Sequence, residues 1–294
     1  MMTKILVTGA SGHLGSAVLS HLVADGRVPA GDIVAASRNP DKLADWTAKG
    51  IEPRAADFDD PASLEKAFAG IDRLLLISTD ELAVPGKRLA QHKAAIAAAV
   101  KAGVGHILYT SMPNPDKSVI SFAPDHLGTE EAIKASGLRY TILRNSWYTD
   151  NHFMSLPHNL EAGTWYTSQA GGRLPNISRD DCAAAAAAAL ASPLEGNAIL
   201  TLTGPQSLTA DEIAEIVSEI AGKPLKIVQV TDEQLAGGVR GAGMPEFVVQ
   251  LVVSTDANIR AGNFDMVTDD FERLTGRKAQ TVADFFKQHR AALG

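Results

Sequence analysis

The chain has 294 residues, of which 45% are hydrophobic and 21% charged, and these values predict one large α/β domain with a smaller appendage. The balance of 34 acidic against 27 basic side chains gives a net charge of -7, which excludes the basic surface that a nucleic acid or an anionic membrane requires. The chain has a single cysteine, Cys182, and neither an apolar leader after Met1 nor an apolar run long enough for a membrane span. These features predict a protein of the reducing cytoplasm.

Segments with strand and helix patterns alternate through the first half of the chain. The predicted strands are Ile5–Val7, Asp32–Ser37, Glu52–Ala56, Arg73–Ile77, His106–Tyr109, Tyr140–Arg144 and, later, Ala198–Leu202. The helices between them end at glycines such as Gly50, Gly70 and Gly103, which favour the left-handed conformation of a helix terminus. This alternation predicts an α/β fold with a doubly wound parallel sheet of the Rossmann type. Right-handed crossovers then place the carboxyl ends of all strands at one edge.

The chain after Asn145 has a looser pattern, in which aromatic and polar residues are mixed. An alanine-rich helix follows, for which Ser178 or Asp180 is the expected N-cap. Further capping signals stand at Thr209, Thr231, Thr268 and Thr281, each before an apolar-periodic segment. They predict a smaller, mostly helical C-terminal part.

A glycine-spaced turn joins the first strand to the first helix. It consists of Gly9, Ala10, Ser11, Gly12, His13, Leu14 and Gly15. Gly9 allows the tight turn, Gly12 the approach of a phosphate, and Gly15 the close packing of the helix on the strand. The free N–H groups at the helix start then face an anion, so the turn predicts a dinucleotide site, although the same glycines also serve a tight loop without ligand. We interpret residues 1–150 and 178–208 as the dinucleotide-binding domain, and residues 151–177 and 209–294 as the substrate-binding part.

The end of the second predicted strand indicates which dinucleotide binds. NAD sites place a carboxylate there, whereas this chain has Ser37 followed by Arg38, with Lys42 a turn later. A guanidinium pairs with a 2′-phosphate, and a charged hydrogen bond of about 1.5–3 kcal/mol gives a roughly ten- to hundredfold preference for NADP. The alternative is a solvated arginine before a helix.

Polar residues after the next strands lie along the path that the cofactor would take across the sheet edge. Asp57 is positioned to accept the adenine amino group and Phe58 to flank the ring, with a helix-initiating acidic turn as the competing interpretation. Ser78, and the segment from Tyr109 to Ser111, fall toward the nicotinamide.

The sequence lacks the pair of residues that donates a proton in many reductases with a glycine-spaced turn. Many reductases with this glycine spacing use a tyrosine with a lysine four residues later, but the four tyrosines Tyr109, Tyr140, Tyr148 and Tyr166 are followed at that spacing by Pro113, Arg144, His152 and Ala170. On the helix expected to carry the pair, Phe122 and His126 stand instead. Loss of a positioned acid typically costs about 10²- to 10⁴-fold, so alcohol–ketone chemistry is disfavoured. An electron-poor acceptor, such as a quinone or a conjugated dye, takes hydride first and a proton later from water.

Several of these segments together resemble one family. They are the turn Thr8–Gly15, the run Ser37–Pro40, Tyr109–Ser111, Asp125–His126 and the run Leu143–Tyr148. Over nearly the whole chain the sequence is similar to the NAD(P)H:quinone oxidoreductase type 2 family, an NmrA-like branch of the atypical short-chain dehydrogenases that includes triphenylmethane reductase. The glycine turn is shared with a whole superfamily, whereas the segment 145–151 is much more specific.

The resemblance implies a flavin-free enzyme that transfers a hydride from NADPH to a quinone-like acceptor. Carried over by position, it implies catalytic roles near the nicotinamide for Tyr109, Ser111 and His126, and an acceptor pocket lined by Asn145, Trp147 and Tyr148. We expect no metal site, because His152 and His158 lie near no acidic or sulfur residue at ligand spacing. The alternative function is an NADP(H)-binding redox sensor that reports to a partner protein.

Overall fold

The computed structural model describes residues 3–192 and 195–294. The strands are β1 (Ile5–Val7), β2 (Ile33–Ser37), β3 (Glu52–Ala55), β4 (Arg73–Leu76), β5 (His106–Ser111), β6 (Arg139–Asn145), β7 (Thr164–Thr167), β8 (Arg173–Leu174), β9 (Ala198–Leu202), β10 (Leu208–Thr209) and β11 (Lys226–Gln229). The α-helices are α1 (His13–Asp25), α2 (Ala44–Thr47), α3 (Pro61–Phe68), α4 (Lys87–Ala102), α5 (Ala123–Ala135), α6 (Leu156–Ala162), α7 (Arg179–Ala191), α8 (Ala210–Ala221), α9 (Asp232–Gly241), α10 (Glu246–Arg260), α11 (Asp270–Thr275) and α12 (Val282–Gln288).

The central sheet has seven strands in the order β3-β2-β1-β4-β5-β6-β9, and all neighbouring pairs are parallel. The predicted doubly wound parallel sheet is therefore confirmed. Strand β1 pairs with β2 on one side and β4 on the other, so the chain reverses its winding direction at β1. A crevice forms at such a switch point, at the carboxyl ends of the strands.

Helices cover both faces of the sheet because successive side chains of each strand point to opposite sides. In β1, Ile5 and Val7 pack into a buried cluster with α1 and α7, while Leu6 packs into a second cluster with α3 and α4. The alanines of α7 let this helix lie close against α1 and the sheet. Ser178 is its N-cap and accepts the N–H of Asp181.

The observed elements differ from the predicted ones mainly at their ends. Strand β5 runs two residues further than predicted, to Ser111, because Thr110 and Ser111 pair with Leu143 and Arg144 of β6. The prediction of a cap at Thr268 is wrong. Helix α11 has Asp269 in the N-cap position, and the Thr268 hydroxyl donates to the carbonyl of Thr201 instead.

The C-terminal part is mostly helical, as predicted, and the caps at Thr209, Thr231 and Thr281 are confirmed. A separate apolar cluster joins the segment after β6 to the C-terminal helices. Its members include Leu156, Leu160, Ile213, Val217, Phe285 and Phe286. Two small sheets, β8 with β10 and β7 with β11, were not predicted, since strands this short carry no clear hydrophobic period. None of the described helices is both long and apolar enough to cross a membrane.

Candidate functional site

The turn between β1 and α1 has the backbone shape that its glycines require. Gly9 has a φ of 59°, in the left-handed region, and its carbonyl oxygen accepts the N–H of Gly12 at 2.9 Å. A Cβ on Gly15 would lie only 2.3 Å from that same oxygen, so no side chain fits there. The chain thereby turns sharply into α1 directly above the end of β1.

The start of α1 offers unused hydrogen-bond donors. Within residues 3–192 and 195–294, no backbone carbonyl accepts the N–H of His13, Leu14 or Gly15. The side chains of Ser11 and His13 are exposed. These amides stand at the positive end of the helix dipole, so the turn is a cradle that fits the pyrophosphate of a dinucleotide.

The end of β2 lies beside this cradle. The hydroxyl oxygens of Ser11 and Ser37 are 2.8 Å apart, and the N–H of Asn39 points to the Ser37 hydroxyl at 3.3 Å. Arg38 follows directly and is exposed, as is Lys42 in the short 3-10 turn Pro40–Leu43. Two cationic side chains, neither with an ion-pair partner in residues 3–192 and 195–294, therefore start from the strand end that adjoins the glycine turn, where a 2′-phosphate would need them.

Asp57 and Phe58 follow β3 at the same sheet edge, but both also have structural contacts. The Asp57 carboxylate accepts the N–H of Asp59 at 3.0 Å, and the Ser63 hydroxyl donates to the Asp57 backbone carbonyl at 3.1 Å. Phe58 packs against the apolar cluster between the sheet and α3 and α4. Their roles at the adenine stay predictions.

Hydroxyl groups connect the ends of β1, β4 and β5. Thr8 donates to the Leu75 carbonyl at 3.0 Å and accepts the N–H of Ile77 at 2.9 Å. Ser78 donates its N–H to the Thr110 hydroxyl at 2.9 Å. The loop after β4, which carries Ser78, is thus fixed to its neighbours on both sides. Ser78 is partly exposed at the edge where the cofactor is expected.

Tyr109 and His126 come together below this edge, in the layer between the sheet and α5. The Tyr109 hydroxyl lies 2.8 Å from His126 Nδ1, and Arg88 of α4 donates from Nη2 to His126 Nε2 at 3.1 Å. Arginine has no acceptor, so His126 Nε2 is unprotonated and the ring proton is on Nδ1, which donates to Tyr109. Both nitrogens of His126 are therefore occupied by protein partners.

Burial keeps the two imidazoles and the phenol around Arg88 neutral. It lowers the pKa of His126 well below its usual value and, with Arg88 as a second cause, lowers that of neighbouring His92 to about 3. His92 Nε2 accepts the N–H of Thr79 at 3.0 Å, while its Nδ1 faces the Thr129 hydroxyl at 2.9 Å. Burial likewise raises the pKa of Tyr109, whose side chain is 0% exposed. Tyr109 and His126 are thus buried and hydrogen-bonded to each other, and their catalytic roles stay predictions.

Ser111, at the end of β5, belongs to a buried polar network. Its hydroxyl donates to Glu130 at 2.7 Å, and the same carboxylate accepts two N–H groups of Arg144, from Nε at 2.9 Å and Nη2 at 2.7 Å. Because Ser111 already donates to Glu130, its hydroxyl has only lone pairs left for a ligand. Its catalytic role stays a prediction.

Side chains of the segment after β6 pack in two different places. Asn145 donates its amide to the Tyr148 hydroxyl at 2.9 Å, and the guanidinium of Arg179 lies 5.2 Å from the centre of the Tyr148 ring. Trp147 lies in a different cluster, with its ring 6.4 Å from that of Phe264. The structure therefore brings Asn145 and Tyr148 together, while Trp147 packs on the side of α5 and α10.

Several residues of this region were not singled out from the sequence, namely Arg88, His92, Glu130 and Phe264. One signal was present in α4. Arg88, His92, Ala95 and Ala99 share one helix face, so two polar residues occupy positions of a buried stripe. No group of three or more residues suited to hold a metal occurs in the described part of the chain.

The fold, the glycine turn and the free amides at the start of α1 together define a dinucleotide-binding protein of the Rossmann class. Residues 9–193 match the family described as NAD(P)H-binding, and the chain belongs to that family.

Its relatives include enzymes that are similar over nearly the whole length. Quinone oxidoreductase 2 of Escherichia coli (strain K12) is 34% identical over 280 residues, which cover 95% of this chain and 96% of that protein. A crystal structure of the Escherichia coli NADPH-dependent quinone oxidoreductase with NADPH has a TM-score of 0.92 at 33% identity, covering 97% and 99% of the two chains. The Citrobacter sp. triphenylmethane reductase complexed with NADP(H) has a TM-score of 0.91 at 35% identity, again over 97% and 99%.

Proposed function

We propose that this chain is an NADPH-dependent oxidoreductase that transfers a hydride directly to a quinone-like or dye acceptor, without a flavin. Relatives at 33–35% identity are named as a quinone oxidoreductase and a triphenylmethane reductase, and solved structures of both contain NADPH or NADP(H). The proposal extends those activities to this chain.

Different residues at the carboxyl edge of the sheet bind different parts of NADPH. The amides at the start of α1, in the turn Gly9–Gly15, bind the pyrophosphate, while Arg38 and Lys42 bind the 2′-phosphate. Ser78 contacts the ribose on the nicotinamide side. When bound, NADPH supplies the hydride.

The observation that carries the choice of acceptor is the contact between Tyr109 and His126. In this pair the phenol and the imidazole bind each other at 2.8 Å and both are buried, so neither presents a proton to the cleft. An alcohol–ketone reaction needs such a proton in the same step as hydride transfer. A quinone or a cationic dye does not, because its product is stable as an anion or a neutral molecule.

Asn145, Trp147 and Tyr148 line the acceptor side in this proposal. Trp147 presents an apolar aromatic face backed by Phe264, which suits a flat conjugated ring. The amide of Asn145 is oriented by the Tyr148 hydroxyl, and its Oδ1 is buried without a partner among the described residues. It therefore remains available to a donor on the ligand.

The test is turnover with purified, flavin-free protein. NADPH and a simple benzoquinone, or NADPH and a cationic triphenylmethane dye, are mixed with the protein, and NADPH oxidation is followed by absorbance. We expect turnover with at least one of these acceptors. NADPH binding without turnover across a panel of quinones and dyes would refute the enzyme and support the redox sensor.

A further inference from the structure

Arg88 is a buried cation that has no anionic partner among the described residues. Its side chain is 5% exposed, Nε donates to the Thr79 carbonyl at 2.7 Å, and Nη2 donates to His126 at 3.1 Å. Nη1 has neither a partner among the described residues nor contact with solvent. A buried charge normally has an ion-pair partner, because the removal of an ion from water is unfavourable.

Two carboxylates act on the charge of Arg88 but do not neutralise it. Asp80 and Asp125 act on its charge from a distance, but neither lies within the 4.0 Å of an ion pair in the described chain. Asp80 is also exposed, so solvent screens it. The positive charge therefore acts on its surroundings largely without compensation.

Arg88 lies at the junction of the two proposed binding regions. Its contact with Thr79 places it next to Ser78, on the nicotinamide side of the cleft. Its guanidinium carbon is 5.2 Å from the centre of the Phe122 ring, and Phe122 packs in the same cluster as Trp147 on the acceptor side. Arg88 thus lies between a residue of the nicotinamide side and a residue that packs with the acceptor side.

We propose that Arg88 stabilises, through its uncompensated positive charge, the negative charge that forms on a quinone as it takes up the hydride. This inference rests on the proposed function. The hydride carries two electrons from NADPH, which becomes NADP⁺, and the quinone becomes a hydroquinone monoanion that takes its remaining proton from water. Arginine suits this task because it stays charged and does not give up its proton.

The acceptors of the two named relatives differ in the charge that they develop. A quinone becomes an anion on hydride uptake, whereas the cation of a triphenylmethane dye becomes a neutral molecule. Arg88 therefore aids the first reaction and opposes the binding of the second substrate. We therefore expect that loss of the Arg88 charge slows the reduction of a quinone but not that of a cationic dye.

The experiment compares Arg88→Met, which keeps an apolar stem without the charge, with Arg88→Lys and with the exposed control Arg273→Met. Single-turnover rates with excess enzyme and NADPH are measured for benzoquinone and for a cationic dye. We expect Arg88→Met to slow quinone reduction by about 10²-fold, as for the loss of one oxyanion donor, while dye reduction stays within threefold or rises. We expect Arg88→Lys to recover most of the quinone rate, and Arg273→Met to change neither reaction.

A second measurement does not depend on turnover. Binding of 4-nitrophenol to the complex with NADP⁺ is followed by the visible absorption of its phenolate form. The wild-type complex should lower the pKa of the bound phenol, and Arg88→Met should abolish that shift. Equal losses with quinone and dye, or an unchanged nitrophenol pKa in Arg88→Met, would overturn the role of Arg88. Wild-type protein that reduces neither acceptor but ionises nitrophenol through Arg88 would instead contradict the proposed function alone.

Discussion

The hydroxyl oxygens of Ser11 and Ser37 lie 2.8 Å apart and join the glycine turn to the end of β2. This contact fixes the place where the chain leaves the strand, so that Arg38 begins directly beside the cradle for the pyrophosphate. In a bound dinucleotide the adenosine ribose follows the pyrophosphate toward this strand end. In the proposed mode of binding, the residue after Ser37 therefore selects between a ribose diol and a 2′-phosphate.

Replacement of Arg38 by Asp should reverse the cofactor preference. A charged hydrogen bond of about 1.5–3 kcal/mol corresponds to a ten- to hundredfold change in affinity. We expect the Kd of NADPH to rise by at least that factor, and that of NADH to change little or fall. Titration by fluorescence gives both constants. Arg273→Asp, on the surface of α11, is the control, and an unchanged ratio of the two Kd values in Arg38→Asp would remove the argument for NADPH.

Gly15→Ala should damage both the fold and the cofactor site. The new Cβ would lie 2.3 Å from the Gly9 carbonyl oxygen and 2.8 Å from the Ala10 Cα, and backbone atoms cannot move aside cheaply. We expect a loss of about 1–3 kcal/mol in the free energy of unfolding and at least tenfold weaker NADPH binding.

Gly31→Ala is the matched control, because its Cβ would meet no atom within 4 Å. It should leave the Tm and the NADPH affinity unchanged. Equal behaviour of the two variants would show that the close approach at Gly15 does not matter.

The stability of the chain should fall as the pH drops below about 6.5. Burial lowers the pKa of several histidines, to about 3 for His92, to about 4 for His106 and His152, and well below the usual value for His126. The unfolded chain binds these protons near pH 6.5 and the folded chain does not, so their stabilisation is complete above 6.5 and is lost progressively toward pH 4. Each such histidine contributes about 1 kcal/mol per pH unit in this window. His21 opposes them, since its hydrogen bond to Asp180 raises its pKa.

His106→Gln tests this linkage away from the proposed site. His106 is buried at the start of β5, with Nε2 2.9 Å from the Thr141 hydroxyl. The free energy of unfolding, measured in urea between pH 4.5 and 8, should depend less steeply on pH in this variant, by about one proton. A steeper or identical slope in His106→Gln would contradict the assignment of a neutral buried ring.

Trp147→Ala should affect the acceptor and not the cofactor. Loss of the indole removes the aromatic face that packs on Phe264, so we expect the KM for benzoquinone to rise by about tenfold while that for NADPH stays within twofold. Trp46→Ala removes the same side chain from the half-buried surface of α2 and should change neither constant. Parallel increases in both KM values would place Trp147 outside the acceptor pocket.

Most of the sheet was predictable from the sequence because parallel strands buried on both faces read as short apolar runs between helices. The glycine turn was predictable for a similar reason, since its function depends on residues that are adjacent in the chain. Thr209 and Thr231 illustrate the same point, because each caps its helix through a residue only three positions later.

The site below the cleft was not predictable in this way. The contact of Tyr109 with His126 joins residues 17 apart, and that of Arg88 with His126 joins residues 38 apart, so both depend on how α4 and α5 pack against β5. The sequence showed that a proton donor was absent from position 122, where Phe122 stands, but not that Tyr109 and His126 bind each other. Nor did it show that Trp147 and Tyr148, neighbours in the chain, pack into different clusters.

The most direct test of the proposed function follows the hydrogen that leaves the nicotinamide of NADPH and asks whether it is found in the reduced acceptor. Flavin-free protein is given NADPH deuterated at both C4 positions of the nicotinamide and a cationic triphenylmethane dye in ordinary water, and the colourless product is examined by mass spectrometry. Direct hydride transfer forms a carbon–deuterium bond that does not exchange, so the account predicts one deuterium per product molecule. A product that carries only solvent hydrogen, or no decolourisation until flavin is added, would contradict it.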